Sequence, residues 1–253
     1  MLKNFVVKPL SIKQASIVGF KVYKYSIIIP TLNEASCINE CLLALQALRP
    51  ECQLIVTDAG STDQTREIAL PLVDIFITAP KGRAVQMNAG AQKASAEVLL
   101  FLHADTFLPR NALGFIQHAL NNGAQWGRFD MQLVGKHFML KVVATMMNWR
   151  SRLTGIATGD QVIFVRRAAF RKVACFPEIA LMEDVAISKR LKKISKGYCL
   201  TAQVQSSGRR WEDFGVWRTI VLMWSLRLRY FLGTEPDTLA QLYRQGKIFN
   251  KAL

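Results

Sequence analysis

Hydrophobic residues along this chain follow two patterns, and their alternation predicts the architecture. Predominantly apolar runs of strand length occupy Tyr25 to Pro30, Leu54 to Thr57, Val73 to Thr78 and Val98 to Leu102. Such runs suit strands buried on both faces of a parallel sheet. After the first, Ile38, Leu42, Leu45 and Leu48 recur at helical spacing until Pro50 stops the element. After the third, Gly82, Ala84, Ala89, Gly90, Ala91 and Ala94 give a small-sided helix able to lie close to the sheet or to a bound group. Strand, loop and helix repeated at this spacing predict an α/β fold with a right-handed, mainly parallel central sheet flanked by helices. The strands end in polar residues, Asn33 and Glu34, then Asp58, then His103 and Asp105, which converge on the sheet edge where ligands bind in such folds.

The second half is less regular. Trp126 to Leu133 alternates as a strand with Arg128 and Asp130 on one side, and Gly155 to Val165 returns another through Gly159, Asp160 and Gln161. Between them, Met139, Val142, Val143, Met146, Met147 and Trp149 mark a helix whose polar side bears Lys141, Arg150 and Arg152. It is either core filler or an adaptable apolar flap over a ligand. Met182, Glu183 and Asp184 open a further helix, and Tyr198 to Val204 is the last strand. A basic loop, residues 206 to 215, leads into a helix from Phe214 to Leu232 that is apolar nearly all round, with Arg218, Arg227 and Arg229 as its cations. Tryptophan flanked by arginine fits both packing on the main domain and contact with anionic lipid. A short helix from Thr238 to Arg244 ends the pattern.

At 253 residues the chain suits one large domain with a C-terminal appendage. Residues 1–24 carry five lysines and no acid and are expected to form a flexible basic extension. The net charge of +15 is uneven: residues 25–127 hold 6 Lys/Arg against 9 Asp/Glu, whereas residues 128–253 hold 22 against 9. That basic half calls for an anionic partner, be it nucleic acid, a membrane surface or a phosphorylated substrate. No aromatic-plus-basic RNA motif or zinc-finger spacing favours nucleic acid, and none is expected as a partner. Five cysteines without a C-x-x-C pair are ordinary reduced-compartment usage, and Cys37 and Cys41 read as packing rather than half a metal site. No stretch approaches the ~18 uncharged apolar residues of a spanning helix. The expected location is cytoplasmic, with peripheral contact on the inner membrane face.

Several residues are out of place for a purely structural role. A carboxylate and an imidazole at the end of a buried strand, Asp105 and His103, need water, a metal or a ligand. Lys81 and Arg83 sit at a helix start, where the dipole prefers anions, so a ligand phosphate would complete the site. Glu183 and Asp184 at a helix start have a plain explanation in dipole stabilisation of ~0.3–1 kcal/mol each. Paired carboxylates also suit proton abstraction.

Taken in order, PTLNEA (30–35), DAGSTDQT (58–65), KGRAVQMNAG (81–90), FLHADT (101–106), TGDQ (158–161) and MEDVAISKRL (182–191) resemble a family 2 glycosyltransferase with the GT-A fold. The similarity is greatest to the bacterial rSAM/selenodomain-associated transferase 2 subgroup. The resemblance implies a catalytic domain over 25–205, with 25–110 the nucleotide-binding half and 111–205 the acceptor half, and a C-terminal segment over 206–253. It implies a nucleotide diphosphate sugar donor, UDP- or GDP-type, bound by Pro30, Thr31, Asn33, Glu34, Asp58, Lys81, Arg83, Asn88, Ala104 and Asp105. Asp105 stands at the last position of the family's D-x-D element and would hold a divalent cation, Mn²⁺ or Mg²⁺, against the diphosphate. His103 replaces the usual first Asp and is a second candidate ligand. Cys175 stands where many relatives have Gly. Gly159, Asp160 and Gln161 would form the acceptor floor, and Arg209, Arg210 and Trp211 would close over diphosphate and acceptor. Asp184 would be the base and Glu183 its neighbour in an inverting transfer to a small-molecule or lipid-linked acceptor. Asp58, Asp105 and Asp184 are thus expected around one cleft. The alternatives are a nucleotidyltransferase, although TLNEA is not a Gly-rich phosphate loop, and a catalytically inert protein that binds nucleotides or a membrane surface.

Overall fold

The structure, a computed structural model, describes residues 22–246, the side chain of Arg210 excepted. The basic extension expected over residues 1–24 lies almost wholly outside the described residues. Eight strands form one sheet: β1 (Tyr25–Thr31), β2 (Cys52–Asp58), β3 (Ile75–Thr78), β4 (Val98–Phe101), β5 (Thr106–Phe107), β6 (Trp126–Val134), β7 (Ile163–Arg166) and β8 (Tyr198–Ser207). Their spatial order is β3-β2-β1-β4-β7-β6-β8-β5. The helices are α1 (Ile38–Leu45), α2 (Thr65–Ala69), α3 (Arg83–Lys93), α4 (Ala112–Asn121), α5 (Met139–Thr154), α6 (Arg167–Lys172), α7 (Glu183–Leu191), α8 (Arg209–Asp213), α9 (Val216–Phe231) and α10 (Pro236–Gln245).

The four N-terminal strands β3, β2, β1 and β4 run parallel, as the repeated strand and helix pattern requires. Alternate residues serve opposite faces: Ile27, Ile29, Leu54, Val56 and Leu100 join one core, while Ile28, Ile55, Leu99 and Phe101 join the other. Gly90 permits α3 to lie against β1, because a Cβ there would meet Ile28 Cγ2 at 2.5 Å.

The sheet is mainly parallel, as expected, but beyond β4 it takes in antiparallel pairs. β7 pairs antiparallel with both β4 and β6, and β5 is antiparallel to β8; only β6 and β8 are parallel in this half. The strand expected from Gly155 is likewise shorter, since Gly159–Gln161 is a 3-10 turn and Val162 takes a left-handed φ of 49° before β7 begins. The basic loop expected at 206–215 is the end of β8 followed by α8. β1 also continues through Pro30 to Thr31 rather than stopping at the proline. α9 and α10 pack on the start of α7 through Leu222, Leu226, Leu239 and Leu242 against Met182.

Candidate active site

The C-terminal ends of β1 and β2 are tied together by their loops. Asp58, 4% exposed, is the knot. Its Oδ1 accepts from Thr31 Oγ1 at 3.0 Å and Ser61 Oγ at 2.5 Å, and its Oδ2 from the backbone N–H groups of Gly60 and Ser61 at 2.9 and 2.8 Å. Asn33, at a left-handed φ of 57°, donates from its N–H to Ser61 Oγ at 2.8 Å and accepts at Oδ1 from Thr62 N–H at 2.9 Å. The side chains of Thr31, Asn33 and Asp58 therefore hold the two loops in register. Gln86, which sequence reasoning passed over, completes the arrangement by donating from Nε2 to the carbonyls of Thr31 and Thr57, 2.8 Å each. Its only signal was a polar side chain within the small-sided face of α3.

Next to these loops stand Glu34, Cys37, Asp105 and Arg209. Glu34 accepts from the Cys37 thiol at 3.2 Å and faces Arg209 Nη2 at 3.8 Å; Arg209 Nη1 donates to Ser36 Oγ at 3.1 Å. Burial first, then the Glu34 and Asp105 carboxylates, push the Cys37 thiol up to about 12. Cys41 is buried, as the packing reading required. Pro30 is half-buried and Ala104 belongs to the core. Lys81 is exposed. Asn88 holds the backbone of Phe176 at both ends of its amide, accepting from N–H at 3.0 Å and donating to C=O at 2.9 Å.

His103 lines a cavity of about 690 Å³. Its polar end is built by Arg83, His103, Asp160, Glu183, Asp184, Arg150 and Arg227. Its apolar wall comes mainly from α5 and α9, with Met139, Met146, Met147, Trp217, Met223 and Trp224, joined by Trp211 of α8 and Tyr243 of α10. Asp58 and Asp105 do not line it, so the three acids expected around one cleft divide: Asp184 is joined by Asp160 and Glu183 instead. His103 turns Nδ1 toward Asp160 Oδ1 at 3.3 Å, and a Cβ built on Gly159 would lie 2.5 Å from Nε2. The Gly159 N–H in turn donates to Asp184 Oδ2 at 2.9 Å, while Val185 N–H donates to Oδ1 at 2.7 Å. Asp184 is oriented by two backbone donors, and each oxygen retains a lone pair. Gln161 is fully buried, donating to Asn148 Oδ1 at 3.2 Å and closing a capping box with Thr158, so it anchors the turn rather than its exposed face.

Charge is arranged unevenly in this cavity. Burial and the adjacent Asp184 hold Glu183, 3% exposed, above the usual carboxylate range, with Arg83 Nη1 at 3.6 Å opposing them. For Asp160, burial is outweighed by the hydrogen bond and charge of His103 and by Arg83 and Arg227, and its pKa is lowered. Burial and the neighbouring Arg227 push Arg150 down to about 10. A buried carboxylate, Glu183, and a half-buried one, Asp160, of opposed tendency beside free cavity volume are a common signature of proton-transfer chemistry.

The sequence pattern of glycosyl transferase family 2 matches residues 26–172. The chain belongs to this family. An uncharacterized glycosyltransferase of Haemophilus influenzae is 24% identical over 195 residues, covering 72% of this chain and 77% of the relative. The poly-beta-1,6-N-acetyl-D-glucosamine synthase of Staphylococcus epidermidis is 23% identical over 66% of this chain, and the match spans only 45% of that synthase. A mannosyltransferase from Pyrobaculum calidifontis in complex with GDP-Man and Mn²⁺ superposes with a TM-score of 0.62 at 17% identity, covering 90% of this chain and 70% of that one. S. aureus TarS with UDP-GlcNAc gives 0.58 at 20% identity over 73% of this chain and 58% of that one. The fold of this family 2 transferase is thus GT-A. Its α7 and α9, which supply Asp184 and Arg227, lie beyond the matched residues.

Proposed function

We propose that the chain transfers a sugar, with inversion, from a nucleotide diphosphate sugar of UDP or GDP type to an acceptor hydroxyl in the cavity beside Asp184. The observation that carries the reading is the pair of backbone donors aiming the Asp184 carboxylate into that cavity. Asp184 takes the proton of the attacking hydroxyl as the bond from C1 to the diphosphate breaks, and a single displacement inverts the anomeric centre. Arg83 and Asp160 position the groups around it. The donor is assigned to the other side of His103, where Glu34, Asp105 and Arg209 stand, and Arg209 suits a phosphate.

Among the described residues no cluster of three or more His, Cys, Asp or Glu side chains could hold a metal ion. A Mg²⁺ or Mn²⁺ ion is commonly held by one or two carboxylates plus substrate phosphates, and Asp105 fits that hard-oxygen role. When bound, the cation would neutralise the leaving diphosphate. His103, with Nδ1 on Asp160 and Nε2 against Gly159, is assigned a positioning role rather than ligation. The basic, apolar C-terminal helices would rest on an anionic membrane surface from the cytoplasmic side.

Calorimetric titration of UDP- and GDP-sugars with and without Mn²⁺ is the test, repeated on Asp105→Ala and Asp184→Asn. Asp105→Ala is expected to abolish the Mn²⁺ dependence of nucleotide binding. Asp184→Asn is expected to keep donor affinity and lower transfer by at least ~100-fold. Absence of nucleotide binding in the unaltered protein would leave the inert reading in its place.

A further inference from the structure

We propose that the acceptor is an anionic amphiphile, its apolar chain lying along the α5 and α9 wall and its negative group seated on Arg150 and Arg227. This rests on the assignment of the cavity to the acceptor.

The wall is the first argument. On α5, Val142, Met146, Trp149 and Leu153 are exposed at spacings of four, three and four; on α9, Trp217, Val221, Trp224, Leu228 and Phe231 are exposed at four, three, four and three. Each is a continuous apolar stripe of the kind a helix normally buries. Trp149, Trp217 and Trp224 keep 66%, 62% and 62% of their surface open. Val142, Met146, Trp217 and Trp224 also line the cavity, so the cavity wall and the outer stripe are one continuous surface. A chain can leave the cavity along that surface without meeting a polar barrier. The volume of about 690 Å³ falls within the ~300–1,000 Å³ range of small-molecule sites. Flexible methionine side chains adapt to a chain better than to a rigid polar ring.

The polar end is the second argument. Arg150 Nε and Nη2 and Arg227 Nε are buried without a hydrogen-bond partner among the described residues. Arg227 stands close enough to Arg150 to disfavour its charged form, after burial itself. Asp160 and Asp184 favour the charged form of both arginines at a distance, but neither makes a hydrogen bond to these nitrogens, Asp160 facing His103 and Asp184 two backbone N–H groups. Leaving buried charged donors unpaired is costly, and an arriving anion removes both the unpaired donors and the repulsion. A neutral acceptor would leave the arginines as they are, and a cationic one would be repelled.

Quenching or enhancement of intrinsic tryptophan fluorescence reads binding directly, without turnover. The probes are dodecyl phosphate, dodecyl maltoside and dodecyltrimethylammonium, each below its micelle concentration, and inorganic phosphate. Dodecyl phosphate is expected to bind at least about tenfold tighter than the maltoside, as one recovered charged hydrogen bond implies, with the ammonium weaker than either. Inorganic phosphate alone is expected to bind at least about tenfold more weakly than dodecyl phosphate, because it lacks the chain. Arg150→Gln and Arg227→Gln should each reduce the phosphate-to-maltoside ratio at least about threefold and leave maltoside affinity unchanged. Each removes one of two repelling charges, so either one suffices should the other fail to fold. Equal affinity for phosphate and maltoside, an unchanged ratio in both variants, or inorganic phosphate binding as tightly as the amphiphile would each overturn the proposal. Donor titration is independent of these arms. Nucleotide binding without amphiphile selectivity would refute this inference alone, and amphiphile selectivity without nucleotide binding would refute the transferase reading alone.

Discussion

Replacing Gly159 by alanine tests the central geometric claim, that His103, the Gly159 turn and Asp184 act as one rigid unit. The new Cβ would lie 2.5 Å from His103 Nε2 and 2.7 Å from Cε1, whereas ordinary contact begins at 3.4 Å. The overlap demands a shift of roughly 1 Å. The ring cannot yield freely, because Nδ1 faces Asp160 at 3.3 Å. The turn cannot yield without moving the N–H that holds Asp184 Oδ2 at 2.9 Å. A misplacement of that size at a reacting group costs about 100-fold in rate, or about 2.7 kcal/mol of transition-state stabilisation. Nucleotide affinity should stay unchanged, since the substitution touches none of Glu34, Asp105 or Arg209. The assay is release of nucleoside diphosphate from the donor chosen by titration, with His103→Ala and the double variant alongside. Removing the ring removes the clash, so the double variant should match His103→Ala rather than multiply the two losses. Transfer within about threefold of the unaltered enzyme for Gly159→Ala, or additive losses in the double variant, would refute the coupling.

Two further consequences concern stability. Ala174 and Cys175 both hold a left-handed φ of 58°. That conformation costs an L-residue ~1–2 kcal/mol, and glycine returns ~0.5–1 kcal/mol of this through its freer unfolded state. Ala174→Gly, at an exposed position, should raise the urea unfolding free energy by about 0.5–1 kcal/mol; Cys175→Gly, which also gives up packing, should gain less, and a loss for Ala174→Gly would contradict the argument. Glu183 supplies the pH dependence. Its folded pKa is raised above the ordinary 4.5 by burial and Asp184, so ionisation is harder in the fold than in the unfolded chain. The acid carries no penalty below 4.5, and stability falls as the pH rises from there through the folded value. Glu183→Gln lacks this effect, so its stability relative to the unaltered protein should increase between pH 4 and pH 8; urea midpoints that keep a constant or shrinking difference would count against it.

What could be read from the chain was what short-range pattern controls. Apolar runs located β1, β2 and β4, helical spacing located α1, and the small residues of α3 fit its close approach to the sheet at Gly90. The direction of β7 could not be read, because Ile163 to Val165 is the same apolar run whichever way it points; only its pairing with both β4 and β6 decides. The loop contacts of Asp58 could not be read for a related reason. Its partners Thr31, Gly60 and Ser61 were all visible as loop residues, yet whether a strand-end acid faces a ligand or its own loop depends on how two loops 27 residues apart meet. Of Met139 to Trp149, only part is core: Val143 is buried while Met146 and Trp149 are exposed. An amphipathic pattern tells which side of a helix is apolar but not whether protein or a ligand covers it. The pairing of Arg150 with Arg227 shows the same limit most sharply. Each arginine alone looks like a solvated cation on an apolar helix, and only the packing of α5 against α9 turns two such cations into one buried, unpaired anion seat.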